Sequence, residues 1–223
     1  MQSNKTLIVV QASLQSRRLP EKVLMSIGNL PMLKGICRKV IQLKRPWVVS
    51  IPTEPADDGL QEWCEEMGWT VVRAVAKSQP YDLGSVVLAW VQGDQGRALP
   101  MRVVRVTADC PFVDFSFLPQ LEGLVDRGAP VAATRTDLFP ERGGLPAGFD
   151  LECFPFTPGL DVLKAGEQPC TAILEPPILV EPGFSVTVDW WHDLEWARKV
   201  YDCAGEKYEH IVQWWNLYRL RHS

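Results

Sequence analysis

Residues 7–24 read LIVVQASLQSRRLPEKVL. The apolar run Leu7 to Val10 is the pattern of a buried strand, and it passes directly into a polar loop holding Arg17, Arg18 and Lys22. Pro20 stiffens that loop by fixing its own φ. In an open α/β sheet the ligand crevice lies outside the carboxyl ends of the strands. Three cations within residues 17–22, just after a first strand, suit a polyanionic ligand such as a triphosphate. A lone Arg-Arg pair also fits a solvated surface loop. A second feature favours the ligand.

That feature is Arg105-Val106-Thr107-Ala108-Asp109-Cys110-Pro111-Phe112-Val113-Asp114. Asp109 follows a strand pattern and is expected to project into the crevice that holds the cationic loop. A hard oxygen ligand there can hold Mg²⁺, which keeps several waters and bridges substrate phosphates. A helix cap is the plainer role for such a residue, and Asp114 is the better candidate for it. Asp189, in Thr187-Val188-Asp189, also ends a strand pattern. Two carboxylates from separate strand ends, with phosphate oxygens, make a plausible octahedral site.

Strand and helix patterns alternate over the first 135 residues. Strands are expected at Thr6–Gln11, Trp47–Ile51, Trp69–Val75, Met101–Thr107 and Pro130–Thr134. Helices are expected from Pro31 to about Leu43, over Asp58–Met67 closed by Gly68, over Leu83–Gln92, and over Phe115–Arg127 ended by Gly128. Repeated β-α units with short apolar strands predict an α/β, Rossmann-like fold, a mainly parallel sheet with helices on both faces. Residues 136–182, rich in Pro and Gly, read as a small excursion from that sheet, with strand-like pieces at Asp150–Phe154 and Ile178–Val180. Phe184–Val188 reads as a returning strand, then helices at Asp193–Cys203 and Tyr208–Tyr218. The whole of 1–223 is read as one domain with this excursion.

Composition narrows the class. At 223 residues the chain can bury a substantial core, and 46% hydrophobic with 22% charged residues is ordinary for a soluble globular protein. A net charge of −4 argues against general nucleic-acid binding. No apolar run approaches the roughly 20 residues that span a bilayer. The six cysteines are scattered without a C-x-x-C pair, which suits a reduced cytoplasmic protein with buried thiols and no zinc site. No G-x-S-x-G elbow accompanies the three histidines, so a Ser-His-Asp hydrolase is not indicated. Adjacent tryptophans occur at 190–191 and 214–215. Neighbours on a helix point about 100° apart, so one of each pair is expected to be partly exposed. The pairs suit packing of the C-terminal helices or a subunit interface.

The motifs also resemble a family. Glycosyl-acid cytidylyltransferases open on a pattern near Q-A-R-x-G-S-x-R-L-P-x-K, matched here by Gln11, Ala12, Ser16, Arg18, Leu19, Pro20 and Lys22, with Ser13 and Gln15 at its Arg and Gly positions. The R-x-T-G-D-C-P-x-x-D pattern is matched around Asp109 with Ala108 at its glycine, T-V-D-T-P-E-D-L-E around Asp189 with Trp190-Trp191 at its Thr-Pro, and G-x-D-x-E-x-F at Gly148–Phe154. Asp57-Asp58 also follows the family and looks structural. Two departures lie elsewhere. The family's E-H-V-T reads Gln168-Pro169-Cys170-Thr171 here, with Cys170 taken as the position of its histidine, and the segment Tyr81–Ser85 lacks its usual D-R. The chain is most similar to the spore-coat-polysaccharide (SpsF-type) branch, related to the CMP-sialate and CMP-Kdo synthetases.

The resemblance implies a nucleotide-diphospho-sugar transferase fold. It implies Mg²⁺-dependent transfer of a cytidylyl group from CTP to an acidic sugar, in surface polysaccharide or glycan synthesis. Gln11, Ala12, Ser13, Ser16, Arg18, Lys22, Thr107 and Asp109 would bind the nucleotide, with Arg18, Lys22 and Asp109 catalytic and Asp109 and Asp189 holding the metal. Asp150 and Glu152 would shape the acceptor pocket, although their alternation alone reads as the solvated face of a strand. A homodimer formed through the excursion is implied, with Phe149, Phe154 and Phe156 near the contact or the acceptor. Ser13, Gln15 and Cys170 leave open a degenerate, non-catalytic nucleotide-binding homologue. An acceptor other than a sugar also stays open.

Overall fold

The computed structural model describes residues 5–76, 82–134, 145, 148–156, 172–173 and 185–222. Its centre is a strand of alternating faces. In β1, Thr6–Gln11, Leu7 and Val9 point to one side of the sheet and Ile8 and Val10 to the other, all fully buried. β1 pairs in parallel with β4, Trp47–Ser50, and with β6, Arg102–Thr107. Beyond β4 lies β5, Val71–Val72. Beyond β6 come β8, Glu152–Pro155, then β7, Ala132–Ala133, and β9, Ala172–Ile173. Among the described residues the sheet has seven strands, of which only β8 runs antiparallel to its neighbours.

Helices cover both faces, as the alternation of β and α patterns predicts. Ile8, Val10, Val104 and Val106 pack against α1 (Met32–Gln42), α2 (Asp58–Glu66) and α4 (Leu118–Asp126). Leu7, Val9, Val48 and Val103 pack against Leu83, Val86 and Val87 of α3, Leu83–Gln92. Each fully buried aliphatic side chain of this kind contributes about 1.5–3 kcal/mol of transfer free energy. A third apolar cluster joins Phe112, Phe149, Val186 and Val188 to α5, Trp191–Ala204, and α6, Tyr208–His222. Gly68 and Gly128, both at positive φ, follow α2 and α4 as expected.

The structure departs from the sequence reading in several places. A two-stranded hairpin, β2 (Ser26–Ile27) with β3 (Leu30–Pro31), lies where no element was expected, and Pro31, expected to open the helix, ends β3 instead. β5, at the edge of the sheet among the described residues, is shorter than the expected Trp69–Val75. Glu152–Pro155 lies inside the main sheet, between β6 and β7, and is not part of an excursion. Most of 136–182, including Cys170 and Ile178–Val180, lies outside the described residues. Of the expected strand Phe184–Val188, Phe184 lies outside the described residues, and 186–188 are not in a sheet strand. Ser185 makes an isolated bridge, and the segment then crosses the end of β6, where the Val188 N–H donates to the Asp109 carbonyl at 2.9 Å.

The aromatic side chains also correct the reading. Phe149, Phe154 and Phe156 are buried in the core of the chain. Trp214 and Trp215 pack on Trp196 and Tyr218. Trp190 caps α5 and Trp191 is its first residue, and both are exposed.

Candidate active site

β1 ends at Gln11 and β6 at Thr107, paired in register. The two chains that leave them define the site. Ala108 N–H donates to the Gln11 carbonyl at 2.9 Å, and Ala12 N–H to the Ser50 carbonyl at 3.0 Å, so three strand ends are tied together. The loop after β1 closes on itself through Glu21 N–H to the Leu14 carbonyl at 2.9 Å. Ser16 Oγ accepts from Leu19 N–H at 3.2 Å. Its other anchor is Asp57, which is fully buried. The Asp57 carboxylate accepts from Ser13 Oγ at 3.2 Å, from Gln15 Nε2 at 2.9 Å and from the Leu14 N–H. The residues that depart from the family pattern, Ser13 and Gln15, are thus the ones that bind Asp57.

A cavity of about 260 Å³ opens between these strand ends, lined by Gln11, Ala12, Ser13, Ser16, Lys22, Thr107 and Asp109 among others. All the nucleotide-site candidates except Arg18 line it. Beside it the charged groups converge. Lys22 Nζ donates to Asp109 Oδ2 at 2.9 Å, to Asp189 Oδ1 at 2.9 Å and to the Val188 carbonyl at 2.7 Å. Arg18 Nη2 reaches the same Asp189 oxygen at 2.6 Å, and its guanidinium lies 5.9 Å from the Trp190 ring centroid. The structure therefore brings Arg18, Lys22, Asp109 and Asp189 into one cluster, although they are up to 171 residues apart in the chain.

Burial pushes the Asp109 carboxyl up. The Lys22 ammonium beside it, with hydrogen bonds from Lys22 and Thr107, outweighs that effect and holds it below the ordinary carboxylate value. Burial drives the neighbouring Cys110 thiol well above its ordinary value, and the charges of Asp150 and Asp109 add to this. Cys110 is therefore a neutral thiol donating to Asp150 Oδ2 at 3.2 Å, and not a nucleophile. Asp114 accepts from Ser116 N–H at 2.9 Å, so it is the helix cap and Asp109 is not.

Of the acceptor candidates, Glu152 is 4% exposed and Asp150 half-buried, so they do not form a solvated strand face. Glu152 Oε2 accepts from Arg105 Nη1 at 2.8 Å, directly across the β6–β8 pair, and Arg105 Nε donates to Gln11 Oε1 at 2.6 Å. Arg105 lines the cavity, together with Ser50, Pro52 and Val75 from the β4 and β5 side. Sequence reasoning quoted Arg105 without a role. The β6–β8 register that sets it opposite Glu152 is the missing information. Asp189 is positioned by packing. Gly148, at φ +102°, lets its backbone pass so close to the Asp189-bearing segment that a Cβ there would lie 2.5 Å from Thr187 N and Val186 C.

The cavity, the basic loop and the paired carboxylates thus sit at the carboxyl ends of the strands of an open α/β sheet, where such sheets bind ligands. Residues 7–127 match the cytidylyltransferase family model, and the chain belongs to that family. No curated protein sequence matches it. Among solved structures it is similar to a cytidylyltransferase from Leptospira borgpetersenii serovar Hardjo-bovis (TM-score 0.65, 20% identity, covering 89% of this chain and 87% of that one). It is also similar to a CMP:2-keto-3-deoxy-manno-octonic acid synthetase complexed with CTP (0.54, 15%, 89% and 98%). A third is Rv0371c of Mycobacterium tuberculosis H37Rv in complex with manganese (0.57, 16%, 88% and 99%). Among the described residues no helix is long and apolar enough to cross a membrane.

Proposed function

We propose that the chain transfers a cytidylyl group from CTP to a hydroxyl of an acidic sugar, releasing pyrophosphate and giving a CMP-sugar for surface polysaccharide or glycan synthesis. Family membership supports the nucleotide and the reaction class. The observation that carries the reading is the convergence of Lys22, Arg18, Asp109 and Asp189 beside a cavity at the strand ends. The acceptor hydroxyl attacks the α-phosphorus in line, and the protein contributes orientation and charge neutralisation. Arg18 and Lys22 hold the triphosphate and stabilise the departing pyrophosphate. Ser16 and loop amides cradle phosphate oxygens. Gln11, Ala12, Ser13 and Thr107 line the nucleotide pocket, while Asp150 and Glu152, through Arg105, shape its acceptor side.

The donor set fits a magnesium ion. Asp109 and Asp189 offer hard oxygens close enough to share one ammonium. Among the described residues no group of three or more His, Cys, Asp or Glu forms a closed cage. Two carboxylates with water and phosphate oxygens are the usual surroundings of Mg²⁺, which when bound withdraws charge from the phosphate being transferred. The chain is proposed to form a homodimer through the parts of 136–182 outside β8, by an isologous two-fold contact. Sedimentation showing about twice 25.1 kDa checks that arrangement. The reaction is tested by pyrophosphate release from CTP over a panel of glycosyl acids and neutral polyols. Release only with a glycosyl acid is expected, and release only with polyols would move the acceptor to another class. The engagement of Ser13 and Gln15 with Asp57 favours a second reading, a nucleotide binder without turnover, in which CTP binds and no acceptor yields pyrophosphate.

A further inference from the structure

Lys22 has three N–H donors, and all three are engaged by the protein's own acceptors: Asp109 Oδ2, Asp189 Oδ1 and the Val188 carbonyl. Its side chain is 8% exposed. In this arrangement it cannot also donate to a phosphate. Arg18 holds the same Asp189 oxygen. Two cations thus neutralise two carboxylates, and those are the carboxylates proposed above to receive a divalent ion.

We infer that Lys22 is the internal counter-ion of the cation site, exchanged for a divalent metal only when a nucleoside triphosphate arrives to receive it. The inference rests on the reading that Asp109 and Asp189 take a divalent ion. The argument is electrostatic. Mg²⁺–oxygen bonds are about 2.1 Å, so with both carboxylate oxygens 2.9 Å from Nζ, an ion bound to either lies within about 5 Å of the ammonium. A double positive charge cannot settle that near Lys22 and Arg18 without displacing them or being repelled. Lys22 leaving alone would exchange three hydrogen bonds for water and leave the carboxylates facing each other. A triphosphate removes the conflict. Its oxygens accept the Lys22 and Arg18 donors, and its charge offsets the metal. Metal and triphosphate therefore bind with positive coupling, each tightening the other by the same factor. Without either ligand, the lysine keeps the two carboxylates gathered.

The experiment titrates Mn²⁺ into the full chain, following free Mn²⁺ by electron paramagnetic resonance, with and without α,β-methylene-CTP. In the wild-type protein the analogue should tighten Mn²⁺ by about 5–150-fold, the usual range of coupling between sites. Lys22→Met, checked for folding by circular dichroism, should bind Mn²⁺ more tightly than wild type without nucleotide and lose most of the coupling. Arg18→Met, at a half-exposed position, should shift Mn²⁺ affinity the same way by less. If Lys22→Met does not fold, the wild-type and Arg18→Met titrations decide. Equal Mn²⁺ affinity with and without the analogue in wild type would overturn the exchange while leaving the metal site intact. So would a folded Lys22→Met that binds Mn²⁺ no more tightly than wild type. No Mn²⁺ binding even with the analogue would overturn the metal reading itself.

Discussion

The Asp193 carboxylate accepts the backbone N–H of Asp189 at 3.0 Å, and the same oxygen takes the Trp190 N–H at 2.7 Å. The first turn of α5 thereby fixes the backbone from which Asp189 reaches Lys22 and Arg18. Asp193→Ala is expected to lower turnover by about 10–100-fold, the usual cost of removing a group that orients a metal ligand. It should also raise the metal concentration needed for half-maximal rate. Asp193→Asn keeps an acceptor oxygen and should recover part of both. Steady-state kinetics across a metal titration makes the check. An unchanged metal requirement in Asp193→Ala would mean that Asp189 is held by other contacts.

Arg105 and Glu152 form an ion pair with side chains 11% and 6% exposed. Removing one partner leaves a buried charge without its counter-charge. Arg105→Ala should cost about 3–5 kcal/mol of stability, measured by urea unfolding. The double change Arg105→Met with Glu152→Leu should cost less than Arg105→Ala alone. A loss below about 1 kcal/mol for Arg105→Ala would place the pair in effectively aqueous surroundings.

Thiol labelling tests the cores. Cys37, Cys64, Cys110 and Cys153 are buried and Cys203 is exposed. Burial pushes the Cys64 and Cys153 thiols to about 12 and Cys37 higher still, so few thiolates form at neutral pH. Native labelling with N-ethylmaleimide at pH 7 followed by peptide mass spectrometry should modify Cys203 first. Labelling of Cys64 or Cys153 at the same rate would contradict the packing of the sheet.

Much of the architecture was legible because periodicity is a local signal. β1 and α3 have the limits read from sequence, since Leu7–Val10 is a continuous apolar run and Leu83–Gln92 a helical one. The hairpin at Ser26–Pro31 was not legible, because two-residue strands leave no period. β8 was seen as a strand but misplaced, because its pairing with β6 joins segments far apart in sequence. The same limit applies to the site. Lys22, Asp109 and Asp189 stand out from their places after apolar runs, but their engagement with one another exists only after folding. Asp57 follows the family pattern and read as structural. That it anchors the basic loop is a tertiary fact.

This cluster and cavity are proposed to receive CTP with a divalent ion. The direct measurement is a thermal shift of wild type, Asp109→Ala and Asp189→Ala with each of the four nucleoside triphosphates, with and without Mg²⁺. A ligand at about 100-fold over its Kd adds about 2.7 kcal/mol, or roughly 5–10 °C for a domain of this size. The account predicts that shift for wild type with CTP and Mg²⁺ together, and its loss in both variants. A wild-type protein that CTP and Mg²⁺ leave unshifted, or variants that shift as wild type does, would contradict it.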